Sequence, residues 1–293
     1  MSNFEQLIGN TPLVLLEKLN KKPDVKLYAK LEGQNPGGSV KDRAAYYMIK
    51  TALEEKALTT KDTIIEATSG NTGIALAMIA ARYGIKIILV MPSNATPERI
   101  KTMKAYGAQV ELTPVEKTIE YSRAWAAEQA EKNGYIILDQ FNNVNNRRAH
   151  IETTGPEVWR DTDGEVTHFV SAMGTTGTIT GTSTYLKSQN ENVQIVGAQP
   201  TEGSRIPGIR KWSQEFLPKI YQPEKVDEII YVSREDAMMH TRLLAKEEGI
   251  MGGMSSGGAL FCALQVLERL DSGTIVFIVC DRGDRYLSSE LYI

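Results

Sequence analysis

The chain has 293 residues, of which 42% are hydrophobic and 24% are charged, and its formal net charge at pH 7 is −3. This composition is typical of a folded globular protein, and the length allows one large or two moderate domains. The charge is small and negative and no basic run stands out. We therefore expect neither nucleic acid nor a membrane surface to be the main partner.

Two cysteines and three histidines are too few and too scattered for a disulfide framework or a metal centre. Cys262 and Cys280 have no C-x-x-C spacing, and no histidine lies at ligand spacing from them. We predict no metal, a reducing, cytoplasmic location, and chemistry that depends on an organic cofactor. The first residues include an acid instead of the basic residues of a secretion signal, and the apolar run at 74–81 is too short to cross a bilayer.

Short runs of Val and Ile alternate with helix-length stretches in the first half of the chain. The predicted elements are a helix from about Val40, a strand at 63–67, a helix at 71–83, a strand at 86–91, a helix at 97–106, a strand at 109–112, a helix at 116–132 and a strand at 135–138. Glycines directly follow the helices that end at 83 and 106, which is typical of helix ends. Such repeats predict a parallel sheet with helices on both faces.

The pattern is interrupted at 142–146 and then resumes. The later predicted elements are a strand at 168–171, a helix at 178–189, a strand at 193–198, helices at 234–248 and 257–270, and a strand at 274–279. The segment 201–231 contains several prolines and is predicted to be mainly loop. We therefore predict an α/β fold with two domains, 1–145 and 146–293, and ligand binding in the cleft between them.

A turn rich in glycine and threonine follows the strand at 168–171 and leads into a helix. Its small residues allow backbone N–H groups to approach an anion, the helix N-terminus attracts negative charge, and the threonine hydroxyls are further donors. The turn is predicted to hold a phosphate, the alternative being a turn without a ligand. Its residues are Gly174, Thr175, Thr176, Gly177 and Thr178. Their spacing fits neither G-x-G-x-x-G nor a P-loop, which disfavours NAD and ATP.

Three further motifs lie where strands or loops meet helices. The turn at 68–72 is predicted either to hold a small anion such as a carboxylate or simply to cap its helix. Lys41 lies in the first turn of a helix, where the dipole and burial can lower its pKa and make it a Schiff-base nucleophile. The alternative is a surface lysine paired with Asp42 or another acid nearby. Ser255 either caps a helix or meets a ring nitrogen of a cofactor.

The motifs in combination resemble the fold-type II, pyridoxal-phosphate-dependent cysteine synthases, over essentially the whole chain. The motifs are Gly9-Asn-Thr-Pro-Leu13, Asn35-Pro-Gly-Gly-Ser-Val-Lys-Asp-Arg43, Thr68-Ser-Gly-Asn-Thr-Gly73, Gly174-Thr-Thr-Gly-Thr178 and Ser255-Ser-Gly257. The segments 206–212 and 280–287 are similar to the B-type branch of that family.

The resemblance implies two Rossmann-like domains with the active site between them, and residues 1 to about 35 crossing over to the second domain. It implies that pyridoxal phosphate binds Lys41, that the 174–178 turn holds its phosphate, that Asn71 contacts its phenolic oxygen, and that Ser255 faces its ring nitrogen. The residues implied to hold the substrate carboxylate are Thr68, Ser69, Gly70, Thr72 and Gln140.

The implied reaction is a β-replacement that forms L-cysteine and acetate from O-acetyl-L-serine and sulfide, in a homodimer. The B-type branch also accepts thiosulfate, giving S-sulfocysteine, and we expect Arg210, Lys211 and Cys280 to line the sulfur-donor pocket. Alternatives are a cystathionine β-synthase-like or serine/threonine dehydratase-like enzyme of the same fold type, and a catalytically inert binding module. The glycine spacing of the 174–178 turn disfavours an NAD-dependent dehydrogenase.

Overall fold

The computed structural model describes residues 3–68, 70–117 and 119–292. The strands in these residues are β1 (Leu13–Leu15), β2 (Val25–Leu31), β3 (Thr63–Ala67), β4 (Lys86–Pro92), β5 (Gln109–Thr113), β6 (His168–Ala172), β7 (Gln194–Pro200), β8 (Glu228–Val232) and β9 (Gly273–Val279). The α-helices are α1 (Lys41–Glu54), α2 (Asn71–Tyr83), α3 (Pro97–Ala105), α4 (Ile119–Asn133), α5 (Val144–Ala149), α6 (Gly155–Asp161), α7 (Gly177–Gln189), α8 (Arg234–Glu248) and α9 (Met254–Arg269).

The larger sheet has six strands in the order β1-β2-β9-β6-β7-β8. All its pairs are parallel except β1 with β2. Strand β9 is its centre: it pairs with β2 along its whole length and with β6 on its other side, and Thr274–Val279 are all buried. A strand buried on both faces needs a continuous apolar run, which is what this sequence supplies. The amino-terminal strands thus complete a sheet made mainly from the second half of the chain.

The smaller sheet has the order β3-β4-β5, all parallel. Helix α2 packs into its core, and every residue from Thr72 to Ala80 is buried. Small alanine side chains allow this close approach. Helix α2 ends at Gly84, whose φ of 68° is left-handed backbone that glycine adopts at little cost.

The structure adds β1, β2 and α6 to the predicted elements and differs from them in three other places. Only Ile136 of the expected strand at 135–138 pairs with β3, through a single bridge to Ile64. The next backbone N–H groups, of Leu138 and Asp139, instead donate to the Glu66 carboxylate, each at 3.1 Å, so a side chain replaces the strand ladder. The predicted loop 201–231 ends in the edge strand β8, which begins at Glu228.

The third difference lies at the interruption of the sequence pattern. Polar residues there start a helix: the Asn143 side chain accepts from the Asn145 N–H at 3.0 Å and caps α5. A π-helical turn, His150–Thr154, joins α5 to α6. In the part of the chain that the structure describes, no helix is long and apolar enough to cross a membrane.

Candidate active site

A cavity of about 210 Å³ lies where the carboxyl end of β3 faces that of β6 and the start of α1. The predicted site residues that line it are Lys41, Thr68, Gly70, Asn71, Thr72, Gln140, Gly174, Thr175 and Arg210. Six others do not line it: Thr176, Gly177, Thr178, Lys211, Ser255 and Cys280. Ser69 lies outside the described residues. The fold therefore brings the two predicted anion-binding turns and the lysine to the lining of one cavity.

Lys41 is the first residue of α1 and is half-buried. Burial lowers the pKa of its ammonium, against the smaller opposing effects of Cys280, Asp281 and Glu32. The alternative of a surface pair with Asp42 does not fit the contacts, because the Asp42 carboxylate accepts the Gly37 N–H at 2.6 Å. A lysine with a lowered pKa supplies more of the neutral amine, the form that reacts with a carbonyl or takes a proton.

Helix α1 is fixed beneath the site by a buried group of charges. Arg43, fully buried, donates to Glu32 at 2.7 Å and to Glu157 at 2.6 Å. Lys30 of β2 donates to the same Glu157 at 2.9 Å. These ion pairs join α1, β2 and α6, and removing one partner of such a buried group is costly. Because Arg43 lies two residues after Lys41, the group sets where Lys41 enters the cavity. Nothing in the local pattern identifies it, since its members are far apart in sequence.

Asn71 opens α2 and is held on both sides of its amide. Its Nδ2 donates to Asp281 Oδ2 at 2.7 Å, and its Oδ1 accepts from Arg285 Nη1 at 2.6 Å. Asp281 is almost fully buried and also accepts from Tyr286 Oη at 2.6 Å. Sequence reasoning named the segment 280–287 but missed that Asp281 and Arg285 contact Asn71.

The substrate side of the cavity joins two loops. Thr72 Oγ1 donates to Gln140 Oε1 at 2.7 Å. The Gln140 carbonyl accepts from Asn146 Nδ2 at 2.7 Å, and the same nitrogen lies 3.1 Å from Thr175 Oγ1. Asn146 is buried, and its two contacts link the segment of Gln140 with the 174–178 turn. In the sequence, Asn146 stands out only as part of the segment 142–146, where the pattern of strands and helices is interrupted.

The 174–178 turn has the features of an anion cradle. Thr176 has a φ of 69°, and its buried hydroxyl has no hydrogen-bond partner among the described residues. A Cβ at Gly174 would lie 2.7 Å from the Gly208 carbonyl oxygen, and one at Gly177 would overlap the Asn146 side chain. A buried hydroxyl without a partner, beside the N-terminus of α7, is satisfied by a bound anion. The residues present thus fit the phosphate of pyridoxal phosphate.

Thr178 differs from its neighbours in the turn. Its hydroxyl lies 3.3 Å from His150 Nε2. Burial lowers the pKa of His150 well below its usual value, so this imidazole is neutral at pH 7. The contact anchors the first turn of α7 to the π-helical turn.

Ser255 and Cys280 lie behind the cavity wall. A Cβ at Gly208 would lie 3.2 Å from Ser255 Oγ, so the serine directly adjoins a glycine that lines the cavity. Cys280 accepts the Val40 N–H at its carbonyl, at 2.8 Å, directly before Lys41. Burial raises the pKa of the Cys280 thiol to about 12, so it is a neutral thiol at pH 7.

Arg210 and Lys211 differ in position, because only Arg210 lines the cavity. Arg210 lines the cavity, and its guanidinium lies 5.2 Å from the Trp212 ring centroid. Trp212 Nε1 donates to the Gly174 carbonyl at 2.8 Å, which ties this loop to the phosphate turn. Lys211 lines an adjoining groove of about 1040 Å³, with its ammonium 5.2 Å from the Tyr231 ring.

Comparison with known proteins identifies the family. A family model described as pyridoxal-phosphate dependent enzyme matches residues 4–281. Cysteine synthase B of Pseudomonas aeruginosa is 53% identical over 285 residues, covering 97% of this chain and 95% of that protein. Cysteine synthase B of Escherichia coli K12 is 51% identical over 292 residues, covering 100% of this chain and 96% of that protein.

Solved structures give the same result. The crystal structure of cysteine synthase from Entamoeba histolytica has a TM-score of 0.94 and 38% identity, covering 100% of this chain and 90% of that one. The predicted fold class and the predicted cofactor, pyridoxal phosphate, are confirmed. The protein belongs to the family of pyridoxal-phosphate-dependent enzymes.

Proposed function

We propose that the protein is a cysteine synthase of the B type, which makes L-cysteine and acetate from O-acetyl-L-serine and sulfide. The observation that carries the proposal is the cavity itself: Lys41, with its lowered pKa, lines it together with a turn suited to a carboxylate and a turn suited to a phosphate. The names of the relatives that match over almost the whole chain support the same activity.

The cofactor, when bound to Lys41, supplies an electron sink for charge that develops at the substrate α-carbon. In the proposed mechanism, the Lys41 amine takes the proton from that carbon and returns it after sulfide has added. The hydroxyls of Thr68 and Thr72, with the backbone of Gly70 and the amide of Gln140, orient the substrate carboxylate. Thr175, Thr176 and Gly177 hold the phosphate.

Ser255 is proposed to meet the ring nitrogen of the cofactor. A serine hydroxyl carries no charge, so it cannot hold that nitrogen protonated as a carboxylate would. This favours loss of acetate over side reactions that need a stronger electron sink. Its test is Ser255→Asp, which is expected to lower the rate of cysteine formation and change the absorption spectrum of the bound cofactor.

The experiment that tests the activity is a product assay. Purified protein with pyridoxal phosphate is given O-acetylserine with sulfide, and cysteine and acetate are measured. The same protein given serine or threonine tests the dehydratase alternative by keto-acid formation, and homocysteine in place of sulfide tests the cystathionine alternative. Failure to form cysteine, with either alternative product present, would overturn the proposal.

Use of thiosulfate is the finer part of the proposal. Arg210 supplies positive charge inside the cavity, and burial lowers the pKa of its guanidinium without removing the charge at neutral pH. Lys211 adds a second cation at the groove that adjoins it. Two cations suit a dianion better than sulfide. Cys280 does not line the cavity, so we propose that it affects the sulfur-donor pocket only indirectly, through residues that do line it.

The test compares the thiosulfate-to-sulfide rate ratio in Arg210→Ala, Lys211→Ala and the control Arg269→Ala. Arg269 pairs with Glu228 on the surface, away from the cavity. We expect Arg210→Ala to lower the ratio by about tenfold, Lys211→Ala to lower it less, and the control to leave it unchanged. An unaltered ratio in both site variants contradicts this assignment.

We also propose that the protein is a cytoplasmic homodimer whose parts 1–145 and 146–293 act as two domains that close on substrate, with the first 35 residues attached to the second. The pairing of β2 with β9 supports the attachment of the amino-terminal residues to the second part, the two free, buried thiols support a reducing compartment, and the homodimer is proposed from the family resemblance. Light scattering measures the oligomeric state, and small-angle scattering with and without a substrate analogue measures closure. A monomer in light scattering would contradict the homodimer. A small-angle scattering profile that the substrate analogue leaves unchanged would contradict closure.

A further inference from the structure

Arg285 connects two segments of the active site, and no role for it follows from the proposed mechanism. It lies in a 3-10 turn, Gly283–Tyr286, after β9 and is 7% exposed. Its Nη1 donates to Asn71 Oδ1 at 2.6 Å, and its Nη2 donates to the Gly37 carbonyl. Gly37 belongs to the loop before Lys41. One guanidinium thus bridges that loop and the start of α2.

The chemistry of its partners fixes the Asn71 amide in one orientation. Arginine can only donate hydrogen bonds, and an ionised carboxylate can only accept them. With Arg285 on one side and Asp281 on the other, the Asn71 oxygen must face the arginine and its NH₂ the aspartate. The amide of Asn71, a residue that lines the cavity, therefore has its donor nitrogen, and not its oxygen, on the side of Asp281.

Burial of this guanidinium is costly, because a charge loses its water. The cost is offset by the hydrogen bonds to Asn71 and Gly37 and by the nearby Asp42, whose carboxyl pKa the charge of Arg285 helps to lower against the larger effect of burial. A lysine could not make the same bridge, since its single ammonium lacks the two separated nitrogens of the planar fork.

We propose that Arg285 is a positioning residue for the cofactor: one nitrogen of its guanidinium fixes the Asn71 amide with the amide nitrogen as the donor, and the other, bonded to the Gly37 carbonyl, holds the guanidinium in place for that contact. The proposal rests on the proposed role of Asn71 at the phenolic oxygen of pyridoxal phosphate. Arg285 acts through Asn71 and does not itself line the cavity.

The test is a double-mutant cycle on retention of the cofactor. The rate at which the holoenzyme loses pyridoxal phosphate on dilution is measured for the native protein, Arg285→Lys, Asn71→Ala and the double variant. We expect each single variant to lose it about tenfold faster, as for one lost charge-assisted hydrogen bond. The double variant is expected to be no faster than Asn71→Ala alone.

The control is Arg242→Lys. Like Arg285, Arg242 makes two hydrogen bonds with its guanidinium. It donates to the backbone carbonyls of Leu291 at 2.7 Å and Glu290 at 2.8 Å, which lie in the same carboxyl-terminal segment as Arg285 but away from the cavity. It is expected to leave the rate of cofactor loss unchanged. The Arg285 proposal is overturned by a native rate in Arg285→Lys, by equal acceleration in Arg242→Lys, or by additive effects in the double variant. If Arg285→Lys does not fold, Arg285→Gln provides the same cycle.

This readout is independent of the proposed activity. A protein that retains pyridoxal phosphate but makes no cysteine contradicts the proposed function and leaves the Arg285 cycle intact. A cysteine-forming enzyme with additive cofactor losses contradicts only the role of Arg285.

Discussion

The two glycine-rich turns of the cavity look alike in sequence but differ in packing. A Cβ at Gly174 or Gly177 would meet the Gly208 carbonyl or the Asn146 side chain, whereas a Cβ at Gly70 has no heavy atom within 4 Å. The 174–178 turn is thus held on all sides, and the 68–72 turn is open at Gly70. The difference indicates that one turn is a preformed cradle and the other has room to adjust when a substrate binds.

The largest expected effect comes from the lysine that lines the cavity together with both turns. Lys41→Ala should lower the rate of cysteine formation by at least about 10³-fold, because the amine that moves the proton is lost. Both turns should still bind their anions, which equilibrium dialysis with radiolabelled pyridoxal phosphate can measure. The matched control is Lys50→Ala, on the exposed part of the same helix, where the lysine pairs with Glu54. Equal losses in both variants would show that the effect is structural.

Gly177→Ala tests the preformed cradle. The added methyl group overlaps Asn146, so we expect a lower melting temperature and a loss of cofactor affinity of about 10²-fold. Gly70→Ala is the matched control, since its methyl group enters open space. Cofactor affinity is measured by titration and stability by thermal unfolding. If Gly70→Ala weakens cofactor binding as much as Gly177→Ala, the distinction between the turns is wrong.

Thr72→Val tests the open turn. It removes the hydrogen bond to Gln140 while keeping the shape of the side chain. We expect KM for O-acetylserine to rise about tenfold with a smaller change in kcat, because a buried acceptor loses its donor. Retention of the cofactor should not change. Steady-state kinetics measures the effect on substrate binding, and cofactor absorbance measures retention of the cofactor.

The last expected effect is on stability and not on catalysis: it is a pH dependence that concerns Glu66. Burial raises the pKa of its carboxyl to about 7, so the folded state holds a proton that the unfolded state releases above pH 4.5. Stability therefore falls as the pH rises from about 4.5 to 7. Glu66→Gln should flatten this part of the profile of unfolding free energy, by on the order of 2–3 kcal/mol. An unchanged slope in chemical denaturation between pH 5 and 7 contradicts the shift.

Local patterns predicted much of the fold. The helices at 71–83 and 234–248 were predicted at the bounds that the structure shows, because alanine-rich or amphipathic periodicity and a following glycine define them. The strands β1 and β2 were missed: β1 has only three residues, and β2 pairs with β9, which lies far along the chain. The prediction of a strand at 135–138 was wrong, because the N–H groups of Leu138 and Asp139 donate to the buried Glu66 carboxylate and not to a neighbouring strand.

The candidate site shows the same limit. Glycine-rich turns and the lysine were found because anion binding and helix ends have local signatures. Asn146, Asp281 and Arg285 were not assigned, because their roles depend on contacts with residues that the fold alone brings near, such as Asn71. A single sequence contains no local sign of such contacts.

The pairing of β2 with β9 has a consequence for biosynthesis. Val25 pairs with Gly273 and Leu31 with Val279, so almost the whole chain separates the partners. During translation β2 leaves the ribosome long before the strand it pairs with, and the central ladder of the larger sheet closes only after β9 has emerged. Such non-local pairing slows folding, and until then the apolar strand β2 is an open edge that can associate with other nascent chains.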